Sequence, residues 1–92
     1  MNEPLNTNWP LDTMTRVLVT KNSDYRLENE VCVAVRSHAG GTWNTRHPAV
    51  GQRLIGAIKL GADFCFARLP EVGMRLVFAN DLVTSPLIAM AM

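Results

Sequence analysis

The chain has no run of apolar residues long enough to cross a bilayer as a helix. The longest, Pro86 to Met92, falls far short of the roughly 20 residues such a span needs. Its first residues hold Glu3, Asp12 and two prolines instead of a basic segment followed by an apolar stretch, so no secretory leader is read there. These two absences predict a cytoplasmic protein with no membrane partner. Charge is also sparse, at 18% of residues with a formal net charge of +1, which excludes the partner logic of a polycationic arm or an acidic tail.

Reaction chemistry is missing as well. The only cysteines, Cys32 and Cys65, each lie within an apolar run, and neither a Cys-x-x-Cys nor a His-x-x-x-His pair occurs, so no metal site is expected. Thiols among hydrophobes behave as small apolar groups, and both are expected to be reduced, buried and unreactive. Ser37 and Ser85 lack the glycine-framed elbow that exposes a nucleophilic serine. The glycine-bearing stretches 39–42 and 48–51 match neither phosphate-loop nor dinucleotide patterns. Asp63, Glu71 and Asp81 fall at turns, where carboxylates commonly serve the backbone. No catalytic residue can be named, no cofactor is implied, and the chain does not read as an enzyme.

What the chain does have is apolar residues, 48% of 92, enough to exclude disorder of the whole and to close one small core but not two. Four runs carry β-branched and aromatic residues between turn signals: Arg16–Thr20, Val31–Val35, Phe64–Ala67 and Arg75–Ala79. In the first, Val17 and Val19 share one face, and Arg16, Leu18 and Thr20 the other. In the second both faces are apolar as far as Arg36, as in a central or barrel strand. Asn22-Ser-Asp24 reads as a turn that caps a short helical turn through Glu28. Gly40-Gly41 could close a hairpin and begin a further strand at Thr42–Thr45. Residues 48–60 admit a helix or a strand; the glycines at 51 and 56 favour a strand over Gln52–Leu60. Asn80-Asp81 suits a tight hairpin, and Pro86 places the last strand at an edge or on a bulge. Residues 1–13, rich in Asn, Thr and Pro without periodicity, read as a disordered arm ahead of a single domain over 14–92; its Trp9 exposes a large apolar face unless it docks, in preference on its own chain.

The expected fold is therefore mainly β: a small antiparallel sheet or partly open barrel of five or six strands, with at most one helix. The alternative is an α+β fold with a helix at 48–60.

Charge is unevenly spread. From Val31 to Ala62 there is no Asp or Glu, giving a window of +4 flanked by segments of −2 and −1. Arg36, Arg46, Arg53 and Lys59 lie in it with His38 and His47, and Trp43 offers a stacking face. Guanidinium forks suit phosphates or carboxylates, so Arg36, Trp43, Arg46, His47, Arg53 and Lys59 form a candidate anion site. The plainer alternative is a solvated basic surface without a ligand.

Arg16-Val-Leu-Val-Thr20, Ser23-x-Tyr25-Arg26-Leu27, Pro70-x-x-Gly73-x-x-Leu76 and Thr84-Ser85-Pro86 together resemble short bacterial proteins of no assigned function. The resemblance covers residues 14–92. It implies a free-standing bacterial domain and names no active site. Strands and turns without a reaction centre predict a non-catalytic binding or protein-interaction module. The runner-up is a domain that binds single-stranded nucleic acid or a small anion through residues 36–59.

Overall fold

In the computed structural model, residues 14–61 and 65–91 are described; the arm read at 1–13, with Trp9, lies outside them, as does Phe64. The described residues contain β-strands and no helix: β1 (Thr15–Thr20), β2 (Ser23–Glu28), β3 (Val31–Ser37), β4 (Trp43–Asn44), β5 (Leu54–Lys59), β6 (Cys65–Ala67), β7 (Arg75–Phe78) and β8 (Val83–Ala91). They form one antiparallel sheet in the order β4-β3-β2-β1-β8-β7-β5-β6. The count is eight where five or six were expected, because Ser23–Glu28 reads in sequence as a helical turn and is strand β2, and the two-residue β4 is a strand in its own right.

A bridge between Val31 and Arg53 draws the sheet round on itself. The Cys32 N–H donates to the Gln52 carbonyl and the Leu54 N–H to the Glu30 carbonyl, at 2.9 and 2.8 Å, so the start of β3 lies against the head of β5. Inside the curl Leu18, Tyr25, Leu27, Cys32, Val35, Leu54, Ala57, Leu76, Phe78 and Leu87 pack as one core. The core face of β1 is thus that of Leu18 and the buried Thr20, while Val17 and Val19 stay half-buried.

Irregular pairings set several faces. Where the β2–β3 ladder shifts between Arg26 and Leu27, Val33 becomes the extra residue, so that Cys32 and Val35, three apart, both reach the core. The helical turn expected through Tyr25–Glu28 is strand β2: Tyr25 and Leu27 alternate inward, and Asn29 and Glu30 take positive φ as the two central residues of a tight hairpin. Residues 54–59 form the favoured strand. The Gly40-Gly41 hairpin to a further strand is present as β3–β4, with Gly41 at φ +82°. Pro86 sits on β8, which is central rather than an edge. Its ladders shift on both sides, and the Pro86 carbonyl still accepts from the Lys21 N–H at 2.9 Å.

The cysteines part company. Cys32 is fully buried, its thiol donating to the Ala34 carbonyl and pushed up to about 11 by burial. Cys65 is exposed and free, which corrects the expectation of two buried thiols: its apolar run lies on the terminal strand of the sheet.

Candidate functional site

The acid-free segment is divided between two places. At the first, register aligns Asp24 on β2, Arg36 on β3 and Trp43 on β4 across one face. Arg36 donates through Nε and Nη2 to one oxygen of Asp24, at 3.0 and 2.7 Å, and His38 Nε2 lies 2.8 Å from the other. The Arg36 guanidinium also sits 4.4 Å over the Trp43 ring. Asp24 itself is buried. Burial alone would push its carboxyl up, but the hydrogen bonds and charges of Arg36 and His38 outweigh that and hold it below the ordinary carboxylate value. Arg36 and Trp43 are together as expected, yet the cation is neutralised by an acid from outside the acid-free window and covers one face of the aromatic ring.

Arg46, His47 and Lys59 do not join them into one cluster. Arg46 is exposed, and its backbone N–H donates to Asn44 Oδ1 at 2.8 Å. His47 packs edge-on against Tyr25, with centroids 5.9 Å apart, and its Nδ1 accepts from the Ala49 N–H at 3.0 Å. Burial lowers its pKa, so it stays neutral at neutral pH and packs as part of the wall. Arg53 pairs with Val31, five residues from Arg36 along β3, or about 16 Å at strand spacing. Lys59 ends β5, which runs from that bridge in the direction opposite to β3.

The second place is a groove of about 520 Å³ lined by Glu30, Arg53, Leu54, Ile55, Phe66, Arg68 and Leu69. Its origin lies in the pairing of β5. One edge of β5 is taken by β7; the other is shared, its head (52–54) bonded to β3 and its tail (57–59) to β6. Between those two partners the sheet does not close. At that gap the β5–β7 register shifts between Leu54 and Gly56, making Ile55 the extra residue and leaving it 43% exposed. Next to it Gly56 gives way to an aromatic ring: a Cβ there would lie 2.5 Å from the Ala67 carbonyl oxygen and 2.6 Å from Phe66 Cζ. Only the bare backbone lets Phe66 lie across β5.

The rim combines apolar groups with cations. Phe66 is 50% and Leu69 78% exposed, far more than isolated core spill-over needs. Glu30 is engaged by Arg16 at 2.6 Å. Arg53 and Arg68 are exposed and have no ion-pair partner among the described residues. Of the anion-site candidates only Arg53 lies here; Arg68, Phe66, Leu69 and Ile55 were not singled out by sequence. Their one sequence trace is Arg68-Leu69 placed directly before Pro70, which sets a cation and a large apolar residue at the end of a strand. Among the described residues no three His, Cys, Asp or Glu side chains come together as a metal would require. Among the described residues there is no helix, and so none long and apolar enough to cross a membrane.

No protein-family model, curated protein or solved structure matches the chain.

Proposed function

We propose that the protein is a non-catalytic protein-interaction module that takes an apolar peptide segment bearing acidic residues into the groove between β3, β5 and β6. The observation that carries this reading is the pairing, at one concave site, of exposed Ile55, Phe66 and Leu69 with two cations, Arg53 and Arg68, that lack an acid partner among the described residues. Concave apolar walls supply the burial and a few convergent charges supply orientation. The competing reading, single-stranded nucleic acid held along residues 36–59, has less behind it. Its best cation, Arg36, is committed to Asp24, and His47 is neutral within the wall.

Titration of the isotope-labelled full chain with an acetylated peptide of alternating Leu and Asp tests the reading. Resonances of Phe66, Leu69 and Ile55 shift on binding, and a twin peptide with Lys for Asp does not bind. Replacing Arg53 and Arg68 by Glu weakens the acidic peptide at least about tenfold, or ~1.4 kcal/mol, whereas Arg36→Ala leaves it unchanged. Binding of a single-stranded oligonucleotide that Arg36→Ala abolishes, with the groove resonances still, would overturn the proposal in favour of the nucleic-acid reading.

A further inference from the structure

Strand β8 outlasts one of its neighbours. Along Val83–Pro86 it pairs with β7, and along Leu87–Ala91 with β1. The last bonds on the β7 side run from the Leu87 N–H to the Met74 carbonyl, at 2.7 Å, and from the Gly73 N–H to the Leu87 carbonyl, at 2.8 Å. There the chain leading into β7 is in a turn: Gly73 takes φ +97°, and the Met74 N–H donates back to the Glu71 carbonyl at 3.0 Å. Among the described residues no strand lies beside Ile88–Ala91 on the side away from β1, which leaves a row of backbone donors and acceptors open.

Exposed edges are commonly guarded by shortness, charge or proline. The terminal strands of this sheet follow that rule: β4 has two residues with Arg46 shortly after, and β6 has three followed directly by Arg68. The β8 edge does not. From Leu82 to Ala91 there is no charged residue, and the one proline, Pro86, lies in the half that β7 covers. Ile88 and Met90 are 52% and 50% exposed. Ile88 is the extra residue where the β1–β8 register shifts, since Thr20 pairs with Leu87 and Val19 with Ala89.

Charge decides the occupant. A charged segment would find no counter-ion along 82–91 and would bury its own charges against Ile88 and Met90. A second copy of the same strand brings none. Antiparallel pairing about a two-fold axis at Ala89 sets Ile88 of each strand opposite Met90 of the other, apolar against apolar, and satisfies both open rows of backbone groups at once. We propose that the chain self-associates through this edge, β8 to β8, so that two sheets become one. The contact has four residues a side, against the roughly 20–30 of a stable interface, so the dimer is weak and reversible. It lies on β8 and needs nothing from the groove reading.

Sedimentation and amide hydrogen exchange of the full chain, between about 10 μM and 1 mM, test this. The average mass is expected to rise towards that of two chains, and exchange at 88–91 to slow as it does. Ile88→Lys with Met90→Lys keeps the chain monomeric throughout, as does the twin with Glu at both positions, and mixing the two restores the dimer. Both side chains are half-exposed, so unchanged Leu76 and Phe78 resonances are expected to show the fold intact. A parent chain still monomeric at the highest concentration overturns the proposal. So does a dimer that the Lys pair leaves intact, or one abolished by Arg53→Glu with Arg68→Glu, which would place the contact at the groove. Slow exchange at 88–91 already present in the monomer also overturns it, because another stretch of the same chain would then hold the edge. Binding of the Leu-Asp peptide is expected to be unchanged in the Lys pair, so this inference and the proposed function fail separately.

Discussion

Arg36 and Arg53 come from the same acid-free stretch of sequence, but the fold treats them in opposite ways. Arg36 is met across the sheet by Asp24, shared with His38, and stacked on Trp43. Arg53 opens onto a groove with Arg68 and exposed apolar side chains, and the acid that lines the same groove, Glu30, is engaged by Arg16. The difference lies in strand pairing. At Asp24, Arg36 and Trp43 the register runs unbroken across β2, β3 and β4 and places an acid opposite the cation; at β5 the edge is split between β3 and β6, and the gap exposes what a closed sheet would have covered. A guanidinium that has found a carboxylate contributes to the fold, and one left at a seam in the sheet is available to a ligand.

Three substitutions probe whether the two regions are separable. The largest effect is expected at the seam, where Gly56→Val drives side-chain atoms into the Ala67 carbonyl and the Phe66 ring. Overpacking of this kind against backbone costs about 3 kcal/mol. A urea melt should show that loss, with displaced Phe66 and Leu69 resonances, while those of Trp43 and His38 hold their positions. Trp43 and His38 displaced as much as Phe66 would mean that the two regions are one cooperative packing unit and not separable sites.

Asp24→Asn comes next, with a loss of about 2 kcal/mol at neutral pH from removing a buried charge-assisted acceptor. Since the folded carboxyl titrates below its unfolded value, its contribution is fully present above the unfolded pKa, near 3.9, and is lost as pH falls through the folded one. The stability of the parent chain should thus decline in the acid range below about pH 4 along a segment that the Asn variant lacks. Parallel stability curves for the two chains would contradict the ion-pair account of the Arg36 region.

The smallest effect is expected for Trp43→Ala. The ring is 36% exposed and its contact with Arg36 is a surface cation–π pair, so the cost in a thermal or urea melt is about 0.5–1 kcal/mol. With Asp24 still holding Arg36, no change in groove binding is expected. A Trp43→Ala chain that loses peptide binding at Phe66 and Leu69 would join the two regions functionally and remove the distinction between them.

Much of the β architecture was legible locally. The β-branched and aromatic runs around Val31–Val35 and Arg75–Phe78, the glycines that disfavoured a helix at 48–60, and the turn chemistry of Gly40-Gly41 and Asn80-Asp81 all led to elements that exist. Less legible were elements whose identity depends on a neighbour. Ser23–Glu28 reads as a cap and a helical turn until β1 and β3 pair on either side of it. Cys65 reads as buried until its strand is seen at the end of the sheet. The acid-free window was visible in the sequence, but the commitment of Arg36 to Asp24 was not, because the two residues meet across a ladder and not along the chain.

Neighbouring residues alone carried the class of the fold and showed no recognisable reaction motif, since β-forming runs, turn residues and motif spacing are properties of adjacent positions. Which cation is neutralised, which is open, and that a groove exists at all came from long-range pairing. Those outcomes turn on Val31 meeting Arg53, on Gly56 yielding to Phe66, and on β5 sharing one edge between two strands, contacts between distant residues whose register no local pattern specifies.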